Sequence, residues 1–378
     1  AAAAAADSRG TTMRPSPAAS GRCAPLPGRR LALPSRTGAA KVPFAPVAAE
    51  TRASLPTRPD TAHRGARGAA DPLACRSTRP GESGEAHAVP SLSQAFVPRS
   101  IYDVDNGLVL GFGADLANDH PGYHDEAYKQ RRAVLSQAAK KHVIGTPIPP
   151  VEYSLEECGT WASVLRELQP LLQRHACKEY LHALPLLAFV EDEVPQLQHM
   201  SDILQSHTGW SIRPVAGLMH PRQFLAGLAF KTFHSTQYIR HASQPGYTPE
   251  PDLVHEMIGH IPLLANPQFA SMVEALGLAS LGADDKTIWH LTKVYWYTVE
   301  FGVVREGSEV KAFGAGILSS VSELANMASR QATLEALNPF AALPKMSYKD
   351  GVQQRYFFLD SFDQGRQHLL AYARSARL

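Results

Sequence analysis

His255 and His260 stand five residues apart in "PDLVHEMIGH", which begins at Pro251, and Glu256 follows the first of them. Two imidazoles and an acid this close together suggest metal-ligand chemistry. The pattern is one residue longer than the zinc-protease sequence H-E-x-x-H, in which histidines four apart share one helix face. At 3.6 residues per turn, positions five apart are rotated by about 140°, so a regular α-helix would aim these two rings away from each other. They converge only if the helix widens by one residue between them. Such π-turns occur mostly at functional sites, and Gly259 loosens the backbone just before His260. An i→i+5 distortion is therefore expected across His255–His260. Taken alone, the hexapeptide is equally consistent with two ordinary histidines on a buried helix.

Glu300 shifts that balance. It lies in "VYWYTVEFGVV", among Val, Tyr, Trp and Phe, where a carboxylate must be paired or metal-bound because bare burial is too costly. Its alternative partner is Arg305. Two imidazoles and one carboxylate suit a non-haem Fe(II) that keeps positions open for dioxygen. The same set serves zinc hydrolases, with Glu256 as general base.

The elements that must position these groups read mainly as helices, α+β by strict count, with a few short strands. Residues from Ser100 to about His124 have turn character. From Asp125 helical patterns dominate. Ser154 and Glu157 form a capping box before "TWASVLRELQPLLQRHA", and Thr208-Gly209 closes the helix that follows Pro195. "SIRPVAG" and "KTFHSTQYIR" read as short strands or extended links. Pro221 and Pro251 each open a helix, and "TIWHLTKVYWYTVEFGVV" reads as one long helix. "RYFFLDSF" reads as a strand before a final helix.

Residues 1–99 differ in kind from residues 100–378, which read as a single catalytic domain. Of the 378 residues, the first 80 hold 13 Lys+Arg against 4 Asp+Glu, and the remainder 24 against 31. An acidic body argues against a nucleic-acid partner. The head is rich in Arg, Ala, Pro and Ser, poor in acids and without apolar period. It cannot bury enough to offset its ordering entropy and reads as an organellar transit peptide, plastid rather than mitochondrial; Met13 is a candidate start. No apolar stretch is long enough to span a membrane. Cys23, Cys75, Cys158 and Cys177 form no CxxC pair, which argues against a disulfide framework or thiolate zinc site and fits a reducing compartment.

"YIRHASQPGYTPEPDLVHEMIGHIPLLANPQFA", "GLASLGA", "VYWYTVEFG" and "KAFGAGILSS" together resemble the pterin-dependent aromatic amino acid hydroxylases. "GTPIPPVEY", "RPVAGLMHPRQFLAGLAF" and "RYFFLDSF" extend the likeness over roughly Asp125–Ala373. The stretch "GLVLGFGADLANDHPGYH" is similar to the plastid-targeted plant and algal branch. The resemblance implies a helical basket around a non-haem iron, with His255, His260 and Glu300 as ligands. It implies Fe(II), dioxygen and tetrahydrobiopterin or a reduced folate, and conversion of phenylalanine to tyrosine; tyrosine or tryptophan hydroxylation are the alternatives within the family.

The resemblance also suggests roles for individual residues. Arg240 would grip the substrate carboxylate, and Thr248 and Ser319 the amino acid's polar end. Trp296, Pro251 and His234 would wall the aromatic slot. Phe224 would stack on the pterin, with Glu256, Leu218 and Tyr295 lining the cofactor and iron cavity. Asp252 is either a support for a metal-bound histidine or an early-helix acid. His220 and Pro221 replace a pair of small hydroxylated residues of animal members, beside the pterin. No folded regulatory domain and no long C-terminal tetramer helix are recognisable, so a monomer or loose dimer without phenylalanine activation is expected. "KMSYKDGVQQ" lies where the family tunes ring preference.

Overall fold

The computed structural model of the chain describes residues 97–111, 116–246, 248–346 and 351–376. The expected transit peptide lies outside the described residues, as do positions 347–350 of "KMSYKDGVQQ". The described elements run β1 (Val109–Gly111), α1 (Glu126–Lys141), α2 (Leu155–His175), α3 (Lys178–Leu187), α4 (Leu197–Thr208), β2 (Ser211–Pro214), β3 (Leu218–Met219), α5 (Pro221–Ala229) and β4 (Thr232–Ser235). There follow α6 (Leu253–His255), a π-turn (Glu256–His260), α7 (Ile261–Leu264), α8 (Pro267–Ser280), α9 (Asp285–Tyr295) and a second π-turn (Trp296–Glu300). The chain continues with β5 (Gly302–Glu306), β6 (Glu309–Ala312), α10 (Ala315–Leu318), α11 (Val321–Ser329), β7 (Thr333–Ala336), β8 (Arg355–Leu359) and α12 (Phe362–Ala376).

Local chemistry accounts for most of these boundaries. The Ser154 hydroxyl and the Glu157 carboxylate cap each other's backbone N–H at the head of α2, satisfying two otherwise orphaned donors. Gly209 ends α4 at φ 75°, a left-handed conformation that costs glycine little. Two expectations are corrected. The stretch from Thr287 to Val304 is not one helix: α9 widens into the second π-turn, and Gly302 begins a strand. Pro251 precedes the helix it was expected to open, because Asp252 is the N-cap, its carboxylate accepting from the His255 N–H.

The strands make three small sheets, β1-β3 antiparallel, β2-β4 parallel, and β6-β5-β8-β7. Helix α8 packs against α5 and α12, and also meets α4, α7 and α9. A Cβ on Gly277 would sit 2.2 Å from the Ala229 nitrogen, so only glycine permits α8 to approach the end of α5 this closely. Among the described residues no helix is long and apolar enough to cross a membrane.

Candidate metal centre

The expected helix distortion is present. The Ile261 N–H bonds to the Glu256 carbonyl, five residues back, and the Tyr180 hydroxyl donates to the Ile258 carbonyl at 2.8 Å. Both imidazoles thereby turn to one side, with His255 Nε2 3.1 Å from His260 Nε2. Gly259 has a further reason to be glycine: an added Cβ would lie 2.7 Å from the Ala315 Cβ. The π-turn is thus pressed directly onto α10.

The second π-turn brings up the carboxylate. The Phe301 N–H bonds to the Trp296 carbonyl at 2.9 Å. Glu300 Oε1 then lies 3.2 Å from His260 Nε2, and Oε2 3.5 Å from His255 Nε2. Arg305, the alternative partner, pairs instead with Asp360 at 3.0 Å. With metal–ligand bonds of about 2.0–2.2 Å, two ligands at right angles on one ion lie about 3 Å apart and two at the tetrahedral angle about 3.4 Å. The three observed separations match that span, so one divalent ion fits between the groups.

The protonation states suit a metal. Burial presses the His255 pKa down to about 4, so its ring is neutral at neutral pH. Burial alone would raise the Glu300 carboxyl, but the His260 and His255 rings facing it outweigh that and hold it at about 2. Ser319 settles the His255 tautomer. Its single hydroxyl proton goes to the Ala315 carbonyl at 2.7 Å, so at 2.9 Å it accepts from His255 Nδ1–H. The Nε2 lone pair is therefore the one offered to a metal. Ser319 is the C-cap of α10, one residue before Ser320 caps α11. Ser319→Ala is expected to weaken metal affinity roughly 10–100-fold, the usual effect of losing such an orienting partner, as read by chelator competition.

The remaining expected residues lie at different depths. Phe224, half-buried on α5, meets Tyr295 edge-on at 5.0 Å, and Phe233 lies 4.8 Å from the His260 ring. The buried Tyr295 phenol, beside the Glu300 carboxylate, has its pKa pushed well up by burial and then by Glu300. Glu256 is buried rather than an exposed helix acid. Burial and the neighbouring Glu300 charge raise its pKa well above the usual range. A half-buried aromatic face and a buried carboxyl are the kinds of group that suit a flat heterocycle with polar edges.

Arg240 is buried and already engaged. Its Nε and Nη2 grip Asp252 at 2.9 and 2.8 Å, and Nη1 donates to the Pro245 carbonyl at 3.2 Å. One N–H on each Nη is left over, the geometry of a second bidentate grip. Asp252 therefore joins Arg240 to the backbone of His255. Thr248 donates to the Glu250 carbonyl at 2.7 Å, Pro251 is half-buried beside Asp252, and the Trp296 ring packs on Phe301 at 4.5 Å. Leu218 is exposed on β3. His234 sits on β4 against Gly227, both ring nitrogens without a partner, and burial holds its pKa down to about 3.

Two residues that the sequence did not single out, Arg132 and His120, hold the Thr248–Asp252 segment in place through Glu250. Arg132 of α1 is fully buried and pairs with Glu250, whose other neighbour is His120 Nε2 at 3.4 Å. The Arg132 guanidinium also lies 3.8 Å over the Tyr238 ring. Arg132 shares a helix face with Leu135, Ser136 and Ala139, and a charge on that apolar stripe was the available signal.

Residues 95–377 match the family described as biopterin-dependent aromatic amino acid hydroxylase. The chain is 64% identical over 303 residues to a chloroplastic phenylalanine 4-monooxygenase of Chlamydomonas reinhardtii, covering 80% of this chain and 83% of that protein. It is 62% identical over 280 residues to the chloroplastic enzyme of the same name from Pinus taeda, covering 74% and 79%. Identity to a Xenopus laevis tryptophan 5-hydroxylase is 44% over 289 residues, covering 75% of this chain and 60% of that one. Among solved structures it is similar to Chromobacterium violaceum phenylalanine hydroxylase with bound iron (III) and 7,8-dihydrobiopterin. There the TM-score is 0.55 at 35% identity, covering 59% of this chain and 82% of that one.

Proposed function

This chain belongs to the biopterin-dependent aromatic amino acid hydroxylases, and on that premise we propose that His255, His260 and Glu300 hold its ferrous iron. Its reaction is the 4-hydroxylation of phenylalanine with dioxygen and a reduced pterin. The observation that carries the ligand assignment is the convergence of three metal-binding atoms within 4.8 Å of one another, two of them on buried imidazoles. Bound iron and pterin supply the activation of dioxygen and the transfer of one oxygen atom to the ring.

The protein's residues hold, orient and protect. Three protein ligands leave coordination positions available. Phe224 offers its face to the pterin, Glu256 meets its polar edge, and Tyr295 and Leu218 complete that wall. The unused N–H pair of Arg240 takes the phenylalanine carboxylate. Thr248 and the remaining lone pair of Ser319 take its polar end, and Trp296, Pro251 and His234 bound the ring. Asp252 carries the load of both Arg240 and the His255 helix. The family match and the phenylalanine 4-monooxygenase relatives speak against a zinc hydrolase.

Residues 100–378 form the catalytic domain on this reading. The chloroplastic relatives and the composition of residues 1–99 support a plastid location. A reduced folate is the second candidate reductant, supported by His220 and Pro221 beside the pterin wall.

Arg240→Lys keeps the charge but loses the fork. The expected result is a rise in the phenylalanine KM of about tenfold or more, since a charged hydrogen bond contributes about 1.5–3 kcal/mol, with iron content unchanged. The function itself is tested by incubating Fe(II)-loaded and Zn(II)-loaded protein with phenylalanine and either tetrahydrobiopterin or tetrahydrofolate. Tyrosine from the iron form alone is expected. No tyrosine with either reductant would refute it.

A further inference from the structure

The segment Val104–Gly111 crosses the outside of the wall assigned above to the cofactor. β1 pairs with β3, Val109 opposite Met219 and Gly111 opposite Leu218. The His220 N–H donates to the Leu108 carbonyl at 3.0 Å, and the Asp105 N–H donates to Gln223 Oε1 at 2.9 Å. Arg213 Nη1 donates to the Val104 carbonyl at 3.1 Å. Val104 is 3% exposed and forms a small cluster of its own with Val215, Met219 and Ala226, separate from the main core. Phe224 packs against both clusters.

This arrangement ties the segment to the aromatic ring. His220 is the N-cap of α5, and its carbonyl accepts from the Phe224 N–H at 3.0 Å. One backbone path therefore runs from the Leu108 carbonyl through His220 to Phe224. Within the described sheets β3 has no strand partner besides β1. A two-residue strand has little pairing of its own, so Leu218 takes its position from β1 and from Val104 beneath it. The head of α5 is held by them together with Arg222, which donates to the Ala283 carbonyl at 2.6 Å and pairs with Asp285.

We propose that Val104–Gly111 is a strap that preorganises the pterin wall, with Val104 and Gln223 as positioning residues for Phe224. The proposal rests on the reading that Phe224 and Leu218 border the pterin. The strap presses on the outside of the wall and touches none of the three metal-binding side chains. Its loss should therefore loosen cofactor binding selectively.

Val104→Asn and Gln223→Leu in the full chain test this, with Val104→Ile as the conservative control. Calorimetry of 7,8-dihydrobiopterin binding gives Kd directly, alongside KM for tetrahydrobiopterin and phenylalanine, iron content and Tm. The expected result is a rise in Kd of about tenfold in both strap variants, as for one partner that must now be ordered on binding. The phenylalanine KM and iron content should stay within about twofold, and Val104→Ile should restore native binding. Unchanged Kd, or parallel decline of both substrates and iron with Tm, would overturn the strap. Phe224→Ala separates the two levels. If it weakens dihydrobiopterin binding while the strap variants do not, the strap alone fails. If it leaves Kd unchanged, the assignment of the wall fails, and the strap proposal with it.

Discussion

Replacing His255, His260 or Glu300 by Ala is expected to abolish iron retention and tyrosine formation together. Losing even a partner that merely orients a ligand costs roughly 10–100-fold in metal affinity, so losing one of three ligands should exceed about 100-fold. The three variants should not behave identically without metal. Glu300→Ala leaves two imidazoles facing each other at 3.1 Å without the carboxylate that offsets their mutual repulsion if protonated. Either histidine variant leaves a carboxylate with one fewer facing ring. Iron content after dialysis and tyrosine yield measure the effect, with circular dichroism to show that the fold persists. Stoichiometric iron in the His255→Ala/His260→Ala double variant would remove the assignment.

The second large effect is on stability, away from the metal. Arg132→Ala is expected to destabilise the protein by about 3–5 kcal/mol, because it strands the Glu250 carboxylate, whose side chain is 1% exposed. The stack on Tyr238 is lost as well. At about 2–4 °C per kcal/mol for a chain of this size, Tm should fall by roughly 10 °C. Replacing both partners by apolar residues, Arg132→Met with Glu250→Leu, should recover most of that loss, since a buried ion pair and a packed apolar pair are often similar in net stability. A double variant no more stable than Arg132→Ala would show that the pair does more than compensate its own burial. Because Glu250 lies between Thr248 and Asp252, the single variant should also raise the phenylalanine KM.

Much of the site was legible because its geometry is local. The five-residue spacing of His255 and His260 required a π-turn if both rings were to meet one ion, and Glu300 among aromatics required a partner. The capping box at Ser154 and the turn at Gly209 were likewise short-range signals. What escaped the sequence depends on contacts between distant residues. Arg132 and Glu250 meet across 118 positions, and no periodicity links them. The break in the stretch from Thr287 to Val304 follows from close packing: a Cβ on Gly302 would meet the Phe313 ring at 2.2 Å. Apolar composition alone could not reveal where helix gave way to strand. Ser319 was expected to meet substrate, and its bond to His255 became visible only once α10 lay against the first π-turn.

Those two widened turns make the centre depend on chain length as strictly as on residue identity. Removing one residue between His255 and His260 would restore protease-like spacing on paper. The widened turn is what takes up that extra residue, so the shortened chain would close into regular helix and leave the wholly buried run Ile261–Leu264 in its present phase. What such a deletion would cost is the bulge itself, where the Tyr180 hydroxyl holds the Ile258 carbonyl and Gly259 seats against Ala315.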